Sequence, residues 1–230
     1  MVHPGNVNTP STSHTPSSEG HGPRTLDAVI LAGGGGRRMG GVDKPGLDVA
    51  GRTLLERVAD AVRAHGETAE AGVSQAAGAA GAVPDARVIV VGPQRESPRA
   101  LYVREDPPGA GPVPALNAGL PLVRSSWFAL LAADLPHLAS SHLAVLAGAA
   151  APGDAGVVFV DSSGREQWLT GVWRTGAVRE ALAGYEGRSL RGLLGPLAPR
   201  LVPADDLAVA DCDTPDDLAR ARELLDPPDG

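Results

Sequence analysis

A run of four glycines flanked by basic side chains is the part of this sequence best suited to chemistry. Residues 33–36 are all glycine, and they are followed by Arg37, Arg38 and, further on, Lys44. Glycine has no side chain to block a ligand, so backbone N–H groups in such a run can close around phosphate oxygens. The nearby cations add positive charge beside those N–H groups. This combination predicts a binding site for the phosphates of a nucleoside triphosphate.

Two common phosphate-binding loops do not match this stretch. A P-loop requires a lysine after its spacer, but Gly41 or Val42 stands where that lysine belongs. The dinucleotide-binding fingerprint fails because its last glycine would fall on Arg38 or Met39. A glycine-rich turn between a strand and a helix, with solvated arginines, remains the purely structural alternative.

The stretch resembles the signature Leu-Ala-Gly-Gly-x-x-x-Arg-Met-Gly-x-x-Asp-Lys of the molybdenum cofactor guanylyltransferase family. Residues 31–34, 38–40, 43 and 44 match this signature. The resemblance implies that the nucleotide is contacted by the first residues of the signature, Leu31, Ala32, Gly33 and Gly34. It also implies catalytic roles for Arg38, which would neutralise a pyrophosphate leaving group, and for Lys44, which would lie over the α-phosphate and help to bind the nucleotide.

Asp134 lies just beyond a continuous apolar run, residues 127–132, which is typical of a buried parallel strand. In open α/β sheets, ligands bind beyond the carboxyl ends of the strands, where both the glycine run and Asp134 would lie. Mg²⁺ that bridges triphosphate oxygens usually takes one or two carboxylates from the protein. We therefore predict that Asp134 is catalytic and binds Mg²⁺ and the nucleotide, as the family's Asp-x-Pro aspartate does. A turn aspartate ahead of Pro136 is the alternative.

A second segment of the same family resemblance concerns the nucleoside. Asp106 precedes a Pro-Gly-x-Gly-Pro-like stretch, and the resemblance implies that Asp106 and Gly111 contact the nucleoside. Residues 113–115 read Val-Pro-Ala where the family usually has Leu-Ala-Gly, and no asparagine follows the strand predicted at 87–91. The sequence therefore leaves GTP and CTP both open as the nucleotide, and a plain surface turn is the alternative for this segment.

Three more residues are candidates for the site or its surroundings. Asp213 precedes Thr214 at the start of the last predicted helix, and it is either a second Mg²⁺ ligand or only a neighbour of the helix N-cap. Trp168 replaces the proline of the family's acceptor-side Gln-Pro-Leu segment, so it either stacks on a pterin or belongs to the core. Cys212 has no evident partner histidine and is interpreted as a small buried residue.

Strands alternate with helices along the chain, which predicts a single α/β domain with a mostly parallel, doubly wound, Rossmann-like sheet covered by helices on both faces. The family resemblance implies the nucleotide-diphospho-sugar transferase type of this fold. Strands are expected at 26–31, 87–91, 101–104, 127–132, 155–160, 168–174 and 200–203. Helices are expected from a capping box at 53–56 to about 64, at 112–123, after Ser140 or Ser141 as N-cap, and at 175–182, 189–194 and 214–225. Residues 66–84, rich in Ala and Gly, are either a ragged helix or an inserted loop.

Composition excludes several classes of protein. A net charge of −7 over 230 residues is unlike a nucleic-acid-binding protein. No apolar run is long enough to span a membrane, and a single cysteine indicates the reducing cytoplasm. Residues 1–24 have no signal-peptide pattern and are predicted to be a disordered tail. We expect a nucleotidyltransferase domain over 25–226 and a frayed end at 227–230.

The predicted function is Mg²⁺-dependent transfer of GMP from GTP to the phosphate of a molybdopterin-type acceptor, with release of pyrophosphate. Two alternatives stay within the enzyme class: the nucleotide is CTP, or the acceptor is another small phosphate. A third alternative is a nucleotide-binding accessory protein without turnover, which would contact molybdoenzymes during their maturation.

Overall fold

A seven-stranded sheet forms the centre of the protein. The structure is a computed structural model, which describes residues 26–33, 42–76 and 86–226. Within these residues the strands are β1 (Asp27–Leu31), β2 (Asp48–Val49), β3 (Arg52–Thr53), β4 (Val88–Val91), β5 (Leu101–Val103), β6 (Trp127–Ala132), β7 (Gly156–Val160), β8 (Glu166–Arg174) and β9 (Arg200–Pro203). The order in the sheet is β5-β4-β1-β6-β8-β7-β9, while β2 and β3 pair separately. Of the strands in this sheet, β8 alone runs antiparallel to its neighbours, which confirms the mostly parallel sheet.

The central strands are apolar along most of their length because helices cover both of their faces. All five residues of β1 are buried, and so are all four of β4. The helices are α1 (Leu54–Ala76), α2 (Pro112–Gly119), α3 (Ser140–Ala149), α4 (Thr175–Ala183), α5 (Leu190–Leu194) and α6 (Pro215–Leu225). One core cluster packs α1 and α3 against the sheet, and the other packs α2, α4 and α5 against its opposite face. This arrangement confirms the doubly wound α/β fold.

Capping boxes begin the first and last helices; the first was predicted as such, and the second confirms the predicted helix start at Thr214. The Thr53 hydroxyl accepts a hydrogen bond from the Glu56 N–H at 3.2 Å, and the Thr53 N–H donates to the Glu56 carboxylate at 2.8 Å. Thr214 and Asp217 make the same reciprocal pair before α6. Each box satisfies N–H groups that have no partner inside the helix. Among the described residues, no helix is long and apolar enough to cross a membrane.

The structure corrects three helix boundaries. α1 continues to Ala76 rather than ending near Ala64, because the alanines beyond Gly66 favour helix and no proline interrupts it. The rest of the predicted ragged helix or loop, residues 77–84, lies outside the described residues. α2 ends at Gly119, and a 3-10 turn follows around Pro121, which has no N–H to continue the helix.

The third correction concerns the N-cap of α3, where neither Ser140 nor Ser141 has the predicted role. Ala139 is the N-cap residue, and both serines lie inside the helix. The His142 ring accepts a hydrogen bond at Nδ1 from the Ala139 N–H at 3.0 Å. The imidazole at the third helical position therefore takes the part that Glu or Gln has in a capping box, and no N-cap side chain takes the part of the predicted hydroxyl.

Candidate active site

The carboxyl ends of β1 and β6 lie side by side and carry the first predicted site residues. Leu31 pairs with Ala132 in the parallel ladder, and the Ala133 N–H donates to the Leu31 carbonyl at 3.2 Å. Leu31 and Ala32 are buried, and Gly33 emerges into solvent. Asp134 lies just beyond the end of the neighbouring strand, so Gly33 and the predicted metal ligand share one edge of the sheet. Gly34 and Arg38 lie outside the described residues.

Lys44 reaches this edge from a 3-10 turn, Lys44–Gly46. Its ammonium donates a short hydrogen bond to the Asp213 carboxylate and lies 3.9 Å from the Asp134 Oδ2 atom. The Lys44 side chain is only 16% exposed. The structure therefore brings together three predicted site residues that are far apart in the sequence, and Lys44 is the single lysine of the chain.

The segment 211–213 is fixed to Asp134 through its backbone. The Cys212 N–H donates to the Asp134 carbonyl at 3.1 Å, and the Cys212 side chain is 1% exposed. Burial, reinforced by the charge of Asp134, raises the pKa of the Cys212 thiol to about 11. The thiol is therefore protonated at neutral pH and is not a nucleophile. The interpretation of Cys212 as a small buried residue is confirmed.

Negative charge is in excess around Lys44. Burial and then the charge of Asp211 raise the pKa of Asp134 to about 6, while the Lys44 ammonium opposes that rise. Burial and the charge of Asp213 also raise the pKa of Asp211. One ammonium thus faces three carboxylates, and a bound cation would stabilise their ionised forms. Among the described residues no group of three His, Cys, Asp or Glu side chains could hold a metal ion. Mg²⁺ at a triphosphate usually takes only one or two carboxylates from the protein, and Asp134 and Asp213 are the carboxylates beside Lys44 that could provide them.

Glu105 is a candidate for this site that the sequence motifs did not single out. It lies just beyond the end of β5, and it is 5% exposed. Its Oε1 atom accepts a hydrogen bond from the Gly109 N–H at 2.8 Å, while its Oε2 atom is buried without a hydrogen-bond partner among the described residues. A Cβ atom placed on Gly33 would lie 3.4 Å from Oε1. The sequence does contain a signal for Glu105, since an acid after a strand at this edge is the pattern that selects Asp134.

The two predicted nucleoside contacts lie beside Glu105 in a different environment. Asp106 is exposed, and no hydrogen bond of its side chain is found within the described residues. Gly111 precedes α2 with a φ of 115°, a conformation that favours glycine, and a Cβ atom there would meet no described residue within 4 Å. The described residues therefore leave space at Gly111, and the roles of both residues stay predictions.

Gly92 directly follows β4 at a position that has little room for a side chain. A Cβ atom at Gly92 would lie 3.0 Å from both the carbonyl carbon and the carbonyl oxygen of Ala32. The ends of β1 and β4 approach so closely that a side chain at this position would displace one of them.

Trp168 and Gln167 lie at the start of β8. The Trp168 ring stacks on the Trp173 ring with centroids 6.3 Å apart, and Trp168 is half-buried. The Gln167 amide donates to the Asp161 carboxylate at 2.7 Å. Trp168 is therefore attached to the core, with part of its surface accessible.

A second interaction that the sequence did not reveal fixes the turn that carries Lys44. Arg95, in the β4–β5 connection, donates from Nη1 and Nη2 to the two carboxylate oxygens of Asp43, at 2.7 and 2.5 Å. A Cβ atom at Gly46 would lie 2.6 Å from the Asp43 carboxylate. The pair thus joins the residue before Lys44 to the neighbouring strand connection, and it leaves no room for a side chain at Gly46.

A mostly parallel sheet with Gly33, Lys44 and Asp134 at its carboxyl edge matches the site predicted for a nucleotidyltransferase. The model of the MobA-like NTP transferase domain matches residues 28–202, and the chain belongs to that family. This membership confirms the predicted family resemblance and the enzyme class.

Relatives of known name agree with that membership. The chain is 32% identical over 209 residues to a molybdenum cofactor guanylyltransferase of Cereibacter sphaeroides, covering 87% of this chain and 97% of the relative. It is 31% identical to a probable molybdenum cofactor guanylyltransferase of Natronomonas pharaonis, covering 86% and 96%. The fold is similar to that of molybdopterin-guanine dinucleotide biosynthesis protein A from Archaeoglobus fulgidus, with a TM-score of 0.58, 18% identity, and coverage of 86% of this chain and 98% of that structure.

Proposed function

We propose that this nucleotidyltransferase transfers GMP from GTP to the phosphate of a molybdopterin-type acceptor and releases pyrophosphate, with Mg²⁺ as its metal. The observation that carries the proposal is the convergence of Lys44, Asp134 and Asp213 at the edge where the glycine run begins. The names of the relatives from Cereibacter and Natronomonas support guanylyl transfer and this acceptor.

The chemistry needs positioning and charge neutralisation more than covalent help. An oxygen of the acceptor phosphate attacks the α-phosphorus, and the bond from that phosphorus to the bridging oxygen breaks, so that pyrophosphate leaves with the electron pair. The attacking oxygen is already anionic, so no general base is required. Lys44 would exchange its contact with Asp213 for an α-phosphate oxygen and stabilise the charge that grows there.

Asp134 would hold the metal, with Asp213 as the candidate second ligand. Mg²⁺, when bound, neutralises charge on the phosphate oxygens. The pKa of about 6 means that Asp134 is mostly ionised at neutral pH, as a metal ligand must be. Release of Lys44 from Asp213 on nucleotide binding would remove the ammonium from beside that carboxylate, where Mg²⁺ could take its place.

Glu105 supports GTP over CTP in this proposal. A carboxylate only accepts hydrogen bonds, and the Oε2 atom of Glu105 has capacity to accept another. The Watson–Crick edge of guanine presents two adjacent N–H donor groups, whereas that of cytosine presents one amino group. The Glu105 side chain beside Gly33 is therefore better matched to guanine.

The single lysine gives a direct test of the site. We would acetylate the protein with an amine-reactive ester and map the products by mass spectrometry, with GTP, CTP, ATP or UTP, each with and without Mg²⁺. Bound GTP with Mg²⁺ should slow acetylation of Lys44 by about tenfold or more, because a ligand blocks the bound fraction of the protein. The α-amino group of Met1 is the internal control, and its rate should not change.

The same preparations decide between the alternatives. Protection by CTP instead of GTP would assign the enzyme to cytidylyl transfer. Protection by GTP without pyrophosphate release in the presence of a molybdopterin acceptor would contradict the acceptor assignment. Equal acetylation of Lys44 with and without every triphosphate would contradict the placement of the nucleotide at this edge.

A further inference from the structure

A groove rich in arginine lies along the β5 edge of the sheet, and nothing in the proposed reaction uses it. It has a volume of about 1120 Å³. Its basic lining residues are Arg52, Arg63, Arg87, Arg95, Arg99 and Arg124. Glu96 is the one acidic residue of this lining, so the groove has a formal charge of +5 in a chain whose net charge is −7.

Three of these arginines have no acidic partner within the described residues: Arg87, Arg99 and Arg124. The other three are engaged, since Arg52 and Arg63 pair with Asp60 and Arg95 pairs with Asp43. Arg99 and Arg124 are exposed, and Arg87 is half-buried. Three guanidinium groups in one groove without an ion pair among the described residues favour an anionic partner from outside.

A buried carboxylate holds two of these arginines at one end of the groove. Asp27 is 2% exposed, and it accepts hydrogen bonds from the backbone N–H groups of Arg87 at 3.0 Å and Arg124 at 2.7 Å. Because their backbones are fixed to the same carboxylate, the two side chains project from one rigid corner of the sheet. The positive charge at this end is therefore built into the fold.

The groove also offers features that suit a polypeptide. β5 is at the end of the strand order, so its outer edge has no strand beside it in the described sheet. Leu101, in that strand, is 43% exposed. The volume exceeds the range of about 300–1000 Å³ that is usual for pockets that bind small molecules. Charge, an apolar side chain and an open strand edge together match an extended segment with acidic and apolar residues.

We propose that this groove docks an acidic, extended segment of a second protein. The two longest undescribed parts of the chain do not have the required charge: residues 1–25 contain one acid, Glu19, and residues 77–85 contain one, Asp85. A nucleic acid extends beyond the groove and would meet the acidic remainder of the molecule, whereas a short acidic segment can stay within the groove. The net charge of −7 therefore opposes the nucleic acid more strongly.

The test is fluorescence anisotropy on the full chain with a labelled ten-residue peptide of glutamates around two central leucines. The groove variant is Arg87→Glu, Arg99→Glu and Arg124→Glu together. The matched control is Arg165→Glu, Arg188→Glu and Arg220→Glu, three exposed arginines outside the groove lining that change the net charge equally. We expect the groove variant to weaken peptide binding by about tenfold or more and the control by less than about twofold, because charges at an interface act mainly at short range.

Several results would overturn the proposal. These are no binding of the peptide to the wild-type chain, equal weakening in both triple variants, or unchanged affinity for a peptide with glutamine in place of glutamate. Tighter binding of an oligothymidylate than of the peptide would assign the groove to nucleic acid. A wild-type dimer that only the groove variant dissociates would assign it to a second copy of this chain. Thermal unfolding checks that both variants fold, and Arg→Gln versions replace any that do not.

Discussion

Two bidentate Arg–Asp pairs lie in opposite parts of this molecule. Arg95 holds both carboxylate oxygens of Asp43 beside the turn that carries Lys44. Arg200, on β9 at the far edge of the sheet, holds both oxygens of Asp154 at 2.8 and 3.2 Å. Each pair includes a partly exposed side chain, and pairs of this kind usually contribute about 0–1 kcal/mol to stability. Their difference therefore lies in what each pair positions rather than in its strength.

The carboxylates of the two regions also differ in electrostatic environment. At the far edge, a hydrogen bond from Arg200 lowers the pKa of Asp154. At the Lys44 edge, burial and neighbouring acids raise the pKa of Asp134. The surroundings of Asp154 stabilise its charge, whereas the surroundings of Asp134 make its charge unfavourable when no ligand is bound. Such a destabilised charge is typical of residues kept for function rather than stability.

The largest expected effect comes from Asp134→Asn, with Asp154→Asn as its matched control. Turnover should fall by about 10³-fold for Asp134→Asn, because a charged group that stabilises the transition state is lost. Measured without metal at pH 8, the same variant should be more stable than wild type by about 2 kcal/mol, since it removes an unfavourable buried charge. Asp154→Asn should retain turnover and lose less than about 1 kcal/mol.

The pH dependence of the free energy of unfolding tests this effect of Asp134 on stability. Asp134 has an ordinary pKa of 3.8 when unfolded and about 6 when folded, so the native state binds more protons between these values. The free energy of unfolding contributed by Asp134 therefore decreases as pH rises through this window, and the advantage of Asp134→Asn should vanish near pH 4. Thermal melts of both proteins across this range measure it. An advantage that is the same at pH 4 and pH 8 would contradict the assignment.

A smaller effect is expected from Arg95→Ala, compared with Arg200→Ala. Loss of the Asp43 contact frees the turn before Lys44, and misplacement of a positioning group should lower kcat by about tenfold. Arg200→Ala should leave kcat unchanged. Both alanine variants should lower the melting temperature by a similar small amount. Arg95→Lys should recover part of kcat, because lysine keeps the charge but not the two-pronged geometry. Steady-state kcat and KM for GTP separate these cases, and equal kcat values for the two alanine variants would make Arg95 a stability residue only.

The elements and the long-range convergence could be predicted because they follow from local patterns. Continuous apolar runs predict β1 and β6, and the rule that ligands bind at the carboxyl edge is enough to place Asp134 beside the glycine run. The start of α6 also follows from a local pattern. Thr214 is suited to the N-cap, Pro215 to the first turn, and the two acids after it to the positive end of the helix dipole.

The rest of the site depends on contacts between distant parts of the chain, which no local sequence pattern contains. Arg95 and Asp43 are 52 positions apart, and nothing in either segment announces their pairing. Glu105 and Asp106 are adjacent acids, and only the path of the chain decides that the first is buried and the second exposed. The sequence shows only that no asparagine follows the strand that ends just before Gly92. The structure shows that the close approach of Ala32 requires a glycine at this position.

The smallest expected effect tests the Asp43 pair without removing either partner. A methyl group at Gly46 would lie 2.6 Å from the Asp43 carboxylate and 3.0 Å from Arg95, so Gly46→Ala should displace the pair and lower kcat by about threefold. Gly153→Ala is the matched control, because a methyl group beside Asp154 would meet nothing within 4 Å. If the pair acts as one unit, adding Gly46→Ala to Arg95→Ala should cause no further loss, since effects through a shared contact are not additive. Full additivity of the two losses in kcat would mean that Gly46 acts on Lys44 by a route other than the pair.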